Sequence, residues 1–463
     1  MNLGADDHFV RGLRLRDEQR MEEALAAITQ AAALHPQDPQ IAFAYAQMHF
    51  ETWRPSAKLF RNAQRLDPDN LDITRNAAMA LRSEGQPSTG ENLLVRALEK
   101  QPDWIDGHKT LSTMRITAGD SSSYDRSFAE AIVERPANLG LRLAHFHALS
   151  VAHNWDRARQ VIADSEAYFG EQRALTVAQI YLASESGETT DENLFDAVNG
   201  MDDVGLDLCH LRHSLRNGRP DKAEEIAARR VPTAAASIFW PYLSLCWRLR
   251  DDPRAAWLDG APPFIATYDL EIAPTELNEI AAFLRELHVM QAPYPEQSVR
   301  GGTQTDRQLF FHHSPVIQQM RNRFHKATAD YVAALPQHDG EHPLLKTPRS
   351  DSLFEGSWSV RLQSQGYHSC HTHSRGWISS AFYVALPDPE QLGSNKAGWI
   401  NFGTPPPELN LDLQPYKQVE PKVGRLVLFP STMWHGTNPF NIGERLTIAF
   451  DIRKSQLKNQ QPL

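Results

Sequence analysis

The chain has 463 residues, a formal net charge of −10 and 41% hydrophobic side chains. That is too long for one ordinary domain and apolar enough for two or three to bury their own cores. The acidic balance lacks the clustered Lys and Arg that phosphate binding needs, which argues against a nucleic-acid partner. Three scattered cysteines, Cys209, Cys246 and Cys370, fit a reducing compartment, and no apolar leader or run of about 18 apolar residues occurs, so a cytoplasmic protein without a membrane partner is expected.

The N-terminal half repeats. Pro36, Pro68, Pro102 and Pro136 recur at intervals of 32, 34 and 34 residues, each preceded five positions earlier by Ala31, Ala63, Ala97 or Ala131. Nineteen residues before each alanine stands a small residue (Gly12, Ala44, Ala78, Ser112), and three before it a large apolar one (Ile28, Phe60, Leu94, Phe128). Small residues let paired helices approach, bulky ones fill the space between pairs, and proline stops the second helix. This register resembles tetratricopeptide repeats over residues 6–138, and helical spacing continues in NWDRARQVIADSEAYF and GRPDKAEEIAARRV to about residue 255. Such a superhelix offers a groove for a peptide or protein.

Pro262, Pro263 and Pro274 break the helical period and mark a boundary. A first strand is expected at Phe264–Tyr268, then helices at Thr275–Val289 and Pro315–Ala334. Short β-branched and aromatic runs follow at Trp358–Leu362, Trp377–Leu386, Trp399–Phe402, Arg425–Phe429 and Leu446–Ile452. The expected architecture is therefore α+β and multidomain: a helical repeat superhelix over 1–255, a β barrel or jelly roll over 262–455, and a tail at 456–463.

The β segment carries the chemistry. His368, His371 and His373 lie in GYHSCHTHSRGW; His435 follows 62 residues after His373, and Arg445 ten residues later. Residues i and i+2 on a regular strand share a face, which would let His371 and His373 converge on one ion, with His435 completing the set from another strand. The spacing turns Cys370 to the opposite face as a packed thiol. His312, His313 and His325 read as surface or helix-packing residues, and Trp358, Trp377, Trp399 and Trp434 as core, with Trp434, beside His435, the one that could serve a substrate.

The stretch GYHSCHTHSRGWISSAFYVALP, followed by GRLVLFPSTMWHG and GERLTIAFDIR, resembles the double-stranded β-helix of the iron(II)/2-oxoglutarate oxygenases, and RGGTQT at 300–305 is similar to a motif of one bacterial group among them. The resemblance implies a dioxygenase using Fe(II), O2 and 2-oxoglutarate, with hydroxylation as the default outcome. It implies metal ligands at His371, His373 and His435. Arg445 and Thr447 would hold the far carboxylate of 2-oxoglutarate, with a further hydroxyl from Tyr383. The superfamily usually carries Asp or Glu where His373 stands, so His373 or His368 is open as the third ligand. Repeats fused to such a site point to a peptide or protein side chain as substrate, and a homodimer is compatible with the sequence. Two other readings stay open: a cupin-like three-His metalloenzyme that does not use 2-oxoglutarate, and a non-catalytic repeat adaptor.

Overall fold

The computed structural model describes residues 4–188, 190–349 and 353–453; the expected tail at 456–463 lies outside them. The chain divides into two compact units, one of Met1–Ala148 with Asp306–Arg321 and one of Leu149–Thr305 with Asn322–Leu463.

In the first unit the repeats are helix pairs: Ala5–Asp17 with Met21–Leu34, Pro39–Glu51 with Ala57–Leu66, Leu71–Ser83 with Pro87–Lys100, and Ile105–Thr117 with Arg126–Glu134. Each second helix ends two residues before one of the marker prolines. Ile28, Phe60, Leu94 and Phe128 are fully buried between helices. The small positions are needed: a Cβ on Gly12 would lie 2.5 Å from the Ile28 side chain. Asp38 and Asn70 cap their helices by accepting from backbone amides of Ile41 and of Asp72 and Ile73, satisfying donors that the first turn leaves free.

The second unit begins helically, with Trp155–Phe169, Arg173–Ser186, Val204–Arg216, Pro220–Arg230, Ala236–Arg248 and Arg254–Asp259. Its strands, among the described residues, are β1 (Ala266–Asp269), β2 (Val299–Gln304), β3 (Phe354–His368), β4 (Gly376–Ala385), β5 (Ile400–Phe402), β6 (Lys417–Val419), β7 (Arg425–Pro430), β8 (His435–Thr437) and β9 (Arg445–Arg453). They form two antiparallel sheets, ordered β1-β7-β4-β9-β3-β2 and β6-β5-β8. The sheets face each other across an aromatic layer: Phe429 of β7 meets Phe402 of β5 and His435 of β8, with ring centroids 4.9 and 4.6 Å apart. Two layers packed this way are the jelly roll the pattern of short strands predicts.

Differences from expectation are local. Pro262–Phe264 forms a 3₁₀ turn and the first strand starts at Ala266, because two successive prolines cannot join a ladder. The run Trp358–Leu362 is the middle of a fifteen-residue strand that extends to His368. The motif RGGTQT lies largely on β2, and Gly302 fits there only without a side chain, since a Cβ would sit 2.3 Å from the Arg361 carbonyl. A last difference concerns the histidine pair. His371 makes a single bridge to His435 and residues 372–375 leave the ladder, so His371 and His373 do not converge as neighbours on one strand face. Instead the His371 and His435 backbones exchange hydrogen bonds at 2.9 and 3.0 Å, and the His373 amide donates to the Ser431 carbonyl at 2.9 Å.

Helices of the second unit share a core with its β loops. Leu211, Leu215, Phe239, Tyr242 and Trp247 cluster with Leu409 and Trp434. Trp434 donates its indole N–H to the Pro241 carbonyl at 2.9 Å and meets Tyr242 edge to face at 5.3 Å.

Candidate metal and co-substrate site

One ring nitrogen from each of His371, His373 and His435 lies within 4.8 Å of the other two. The donor set fits a metal, because hydrogen bonds have already chosen which nitrogens face inward. The Nδ1–H of His371 donates to the Ser369 carbonyl at 2.8 Å, and that of His435 to the Met433 carbonyl at 2.9 Å. A carbonyl can only accept, so both rings carry the proton on Nδ1 and leave Nε2 unprotonated, with the Ser298 hydroxyl 3.2 Å from that of His371. His373 turns its Nδ1 to the Asp451 carboxylate at 2.7 Å.

Electrostatics agree with neutral donors at His371 and His435. Burial holds His371 down to about 3, helped by the neighbouring His373, and burial with His371 and His373 holds His435 well below its ordinary range. For His373 burial pulls downward, but the charge and hydrogen bond of Asp451 outweigh it and raise the value.

His368 stands outside the triangle. Its ring centroid is 6.2 Å from that of His371, and its Nδ1 meets Ser298 Oγ at 3.0 Å, the same hydroxyl that lies 3.2 Å from His371 Nε2. Burial and then Arg445 press its basicity well down.

Arg445, 2% exposed, projects from β9 with Thr447 two residues on, in register with Tyr383 of β4. Its Nη1 donates to the Gly398 carbonyl at 3.1 Å, while Nε has no partner among the described residues. The Tyr383 hydroxyl, equally buried, has none either. Burial lowers the Arg445 guanidinium from its ordinary value and raises the Tyr383 phenol. A buried cation with no carboxylate paired to it among the described residues, next to a donor hydroxyl, is costly by itself and suits a small dianion.

The remaining expectations resolve simply. Trp434 is 6% exposed and bonded to a helix, so it is core and not a substrate platform. Trp377 donates to the Leu344 carbonyl at 2.9 Å. His313 bonds the Thr52 carbonyl at 3.0 Å, and His325 packs on Phe354 at 4.4 Å. The cysteines are unbridged, with Cys209 and Cys246 buried and burial pushing Cys370 up to about 11.

Three residues escaped the sequence reading: Ser298, Ser379 and Asp451. Asp451 was detectable, because Arg445, Thr447 and Asp451 stand at even spacing on one strand and so share its inner face. Ser379 Oγ donates to Asp451 Oδ1 at 2.6 Å and lies 3.1 Å from His373 Nδ1, closing a small polar network behind the ring.

Residues 356–451 match the family model described as "Putative 2OG-Fe(II) oxygenase", so the C-terminal part of the chain carries a domain of that family. Among solved structures, a prolyl-4-hydroxylase from Pseudomonas putida is 15% identical, with 42% of this chain and 94% of that one covered and a TM-score of 0.29. HygX from Streptomyces hygroscopicus, solved with nickel and 2-oxoglutarate bound, is 12% identical over 46% and 90%, TM-score 0.28. A tetratricopeptide repeat protein from Parabacteroides merdae is 11% identical over 52% and 98%, TM-score 0.34. No curated protein matches the chain. No described helix is long and apolar enough to cross a membrane.

Proposed function

We propose that the protein is a non-haem Fe(II), 2-oxoglutarate-dependent dioxygenase that hydroxylates a peptide or protein side chain. His371, His373 and His435 would hold the metal, leaving coordination positions open, as a chelating co-substrate and O2 require. Bound Fe(II) and 2-oxoglutarate would let O2 act as the oxidant, one oxygen atom going to succinate as CO2 leaves and the other to the hydroxylated side chain. The chain's own residues bind and orient. Arg445 and Tyr383 present their free donors to the far carboxylate, Thr447 adds a hydroxyl from the same strand, and Phe429, edge to face with Phe402, packs against the His435 ring.

One observation carries this reading: the unpartnered Nε of fully buried Arg445, beside an equally unpartnered Tyr383 hydroxyl. A three-His metalloenzyme that ignores 2-oxoglutarate is the second reading, favoured by the imidazole of His373 in place of a carboxylate. Anaerobic addition of Fe(II) and 2-oxoglutarate separates the two. The first reading expects a weak visible charge-transfer band and, with O2, slow succinate formation; neither would occur under the second.

We assign catalysis to residues 262–455 and recruitment to the repeats within 1–255. A cleft of about 350 Å³ between the first helices of the third and fourth repeats, lined by Arg75, Asn76, Asp106 and Lys109, supports a polar segment as guest. Arg75→Glu with Lys109→Glu should lower turnover of a protein substrate while uncoupled succinate formation stays unchanged. Unchanged turnover would end the recruitment role.

A further inference from the structure

Behind His373 lies a carboxylate that the metal triangle does not contain. Asp451 is 7% exposed, and its Oδ1 accepts from His373 Nδ1 at 2.7 Å and from Ser379 Oγ at 2.6 Å. Ser379 Oγ in turn lies 2.8 Å from Ser431 Oγ, and the Ser431 carbonyl accepts the His373 amide at 2.9 Å. His373 is thus held at its backbone and at its ring by one connected network. His371 and His435 use neutral backbone carbonyls for the same purpose. Of the three rings, His373 alone is backed by an anion.

We infer that Asp451 is the positioning residue of this site, and that the carboxylate usual in the coordination sphere has moved one step outward behind an imidazole. The inference rests on the metal-site reading above. The anion fixes the proton on Nδ1 and points Nε2 at the metal; it also returns, through the ring, the negative charge that a direct carboxylate ligand would have supplied. A second consequence follows from the geometry. Putting a carboxylate at position 373 does not by itself recreate the commoner ligand set, since two buried anions would then face each other across a hydrogen-bond distance without an intervening proton. The exchange works only if Asp451 is neutralised at the same time.

The test uses the full chain freed of metal and titrated with Co(II) alone, reading affinity and the visible ligand-field spectrum. Asp451→Asn keeps the shape, but its amide can present an N–H to His373 Nδ1 and favour the wrong tautomer; Asp451→Ala removes the acceptor. Both are expected to weaken Co(II) binding about ten- to a hundredfold and to change the spectrum, the range usual for partners of ligating histidines. His373→Asp combined with Asp451→Asn is expected to bind at least tenfold more tightly than His373→Asp alone. Should Asp451→Ala not fold, the Asn variant and the double variant decide. Co(II) affinity and spectrum unchanged in the Asp451 variants, or a single His373→Asp variant that binds as tightly as the double, overturns the inference alone. A wild-type chain that binds no Co(II) overturns the metal reading and the inference with it.

Discussion

The Arg445 guanidinium lies over the face of Tyr383, its central carbon 5.0 Å from the ring centroid. The contact lends a buried cation some stabilisation, about 2 kcal/mol when desolvated, yet leaves Nε and the phenol hydroxyl without partners. Arg445→Ala should therefore raise the apparent 2-oxoglutarate constant about a hundredfold, from about 3 kcal/mol at 1.4 kcal/mol per decade. Arg445→Lys should recover only part, because an ammonium lacks the planar fork. Succinate formation against 2-oxoglutarate concentration measures both, and Mn(II) affinity should barely move.

Tyr383→Phe separates binding from stability. A hydrogen bond to a charged group is worth about 1.5–3 kcal/mol, so 2-oxoglutarate binding should weaken about ten- to a hundredfold. The same change removes a buried hydroxyl that has no protein partner, and the melting temperature without co-substrate should hold or rise. A fall in both would contradict the role given to the phenol.

His435→Ala should abolish metal binding. Wild-type protein gains stability from a ligand that binds only the folded state, about 2.7 kcal/mol at a hundred times the dissociation constant. The melting temperature of the variant should not respond to added Ni(II), while its far-ultraviolet circular dichroism stays that of the wild type. A wild-type response in the variant would remove His435 from the ligand set.

Trp434 joins the helix Ala236–Arg248 to the strand end that carries His435. Trp434→Ala should cost about 3–5 kcal/mol in denaturant unfolding. Trp434→Phe, which keeps most of the packing with Tyr242, should cost less and leave substrate affinity unchanged. A loss of affinity at wild-type stability would instead mark the indole as a substrate contact.

His288 gives a pH signature. Its ring nitrogens meet Thr303 Oγ1 at 2.8 Å and Ser359 Oγ at 3.0 Å, and burial, with Arg361 nearby, holds it down to about 4. The unfolded chain, with a pKa near 6.5, takes up this proton first. The neutral ring therefore contributes fully above about pH 6.5 and progressively less as pH falls toward 4, by at most about 3 kcal/mol. The urea midpoint of the wild type should fall between pH 7 and 5. His288→Gln should flatten that slope, and an equally steep slope in the variant would exclude His288 as its source.

Much of this was legible in the chain. The prolines at 36, 68, 102 and 136 sit at the same offset past a helix end because stacked repeats share one geometry. The strands β4, β7 and β9 were visible because their apolar runs fill a core. The strands β6 and β8, three residues each, have no periodicity to read, and their pairing comes from distant partners. The histidine triangle was legible in its members but not in its cause: convergence arises from a bridge between His371 and His435, a contact between residues far apart in sequence. Asp451 went unread because its even spacing from Arg445 turns it inward but does not say which ring it meets; the contact with His373 depends on where the chain turns after His371.

The bond from Trp434 to Pro241 bears on how this chain can be dissected. An excision ending at residue 255 would strip Tyr242, Leu243 and Trp247 from the cluster that also contains Trp434 and Leu409, exposing an apolar wound one residue from His435. The jelly roll cannot be expressed as a portable cartridge, and a graft of its motif onto another scaffold must bring the helices from Val204 to Asp259 with it. Changes in those helices, far from the histidine triangle in sequence, would be inherited together with the strand that begins at His435.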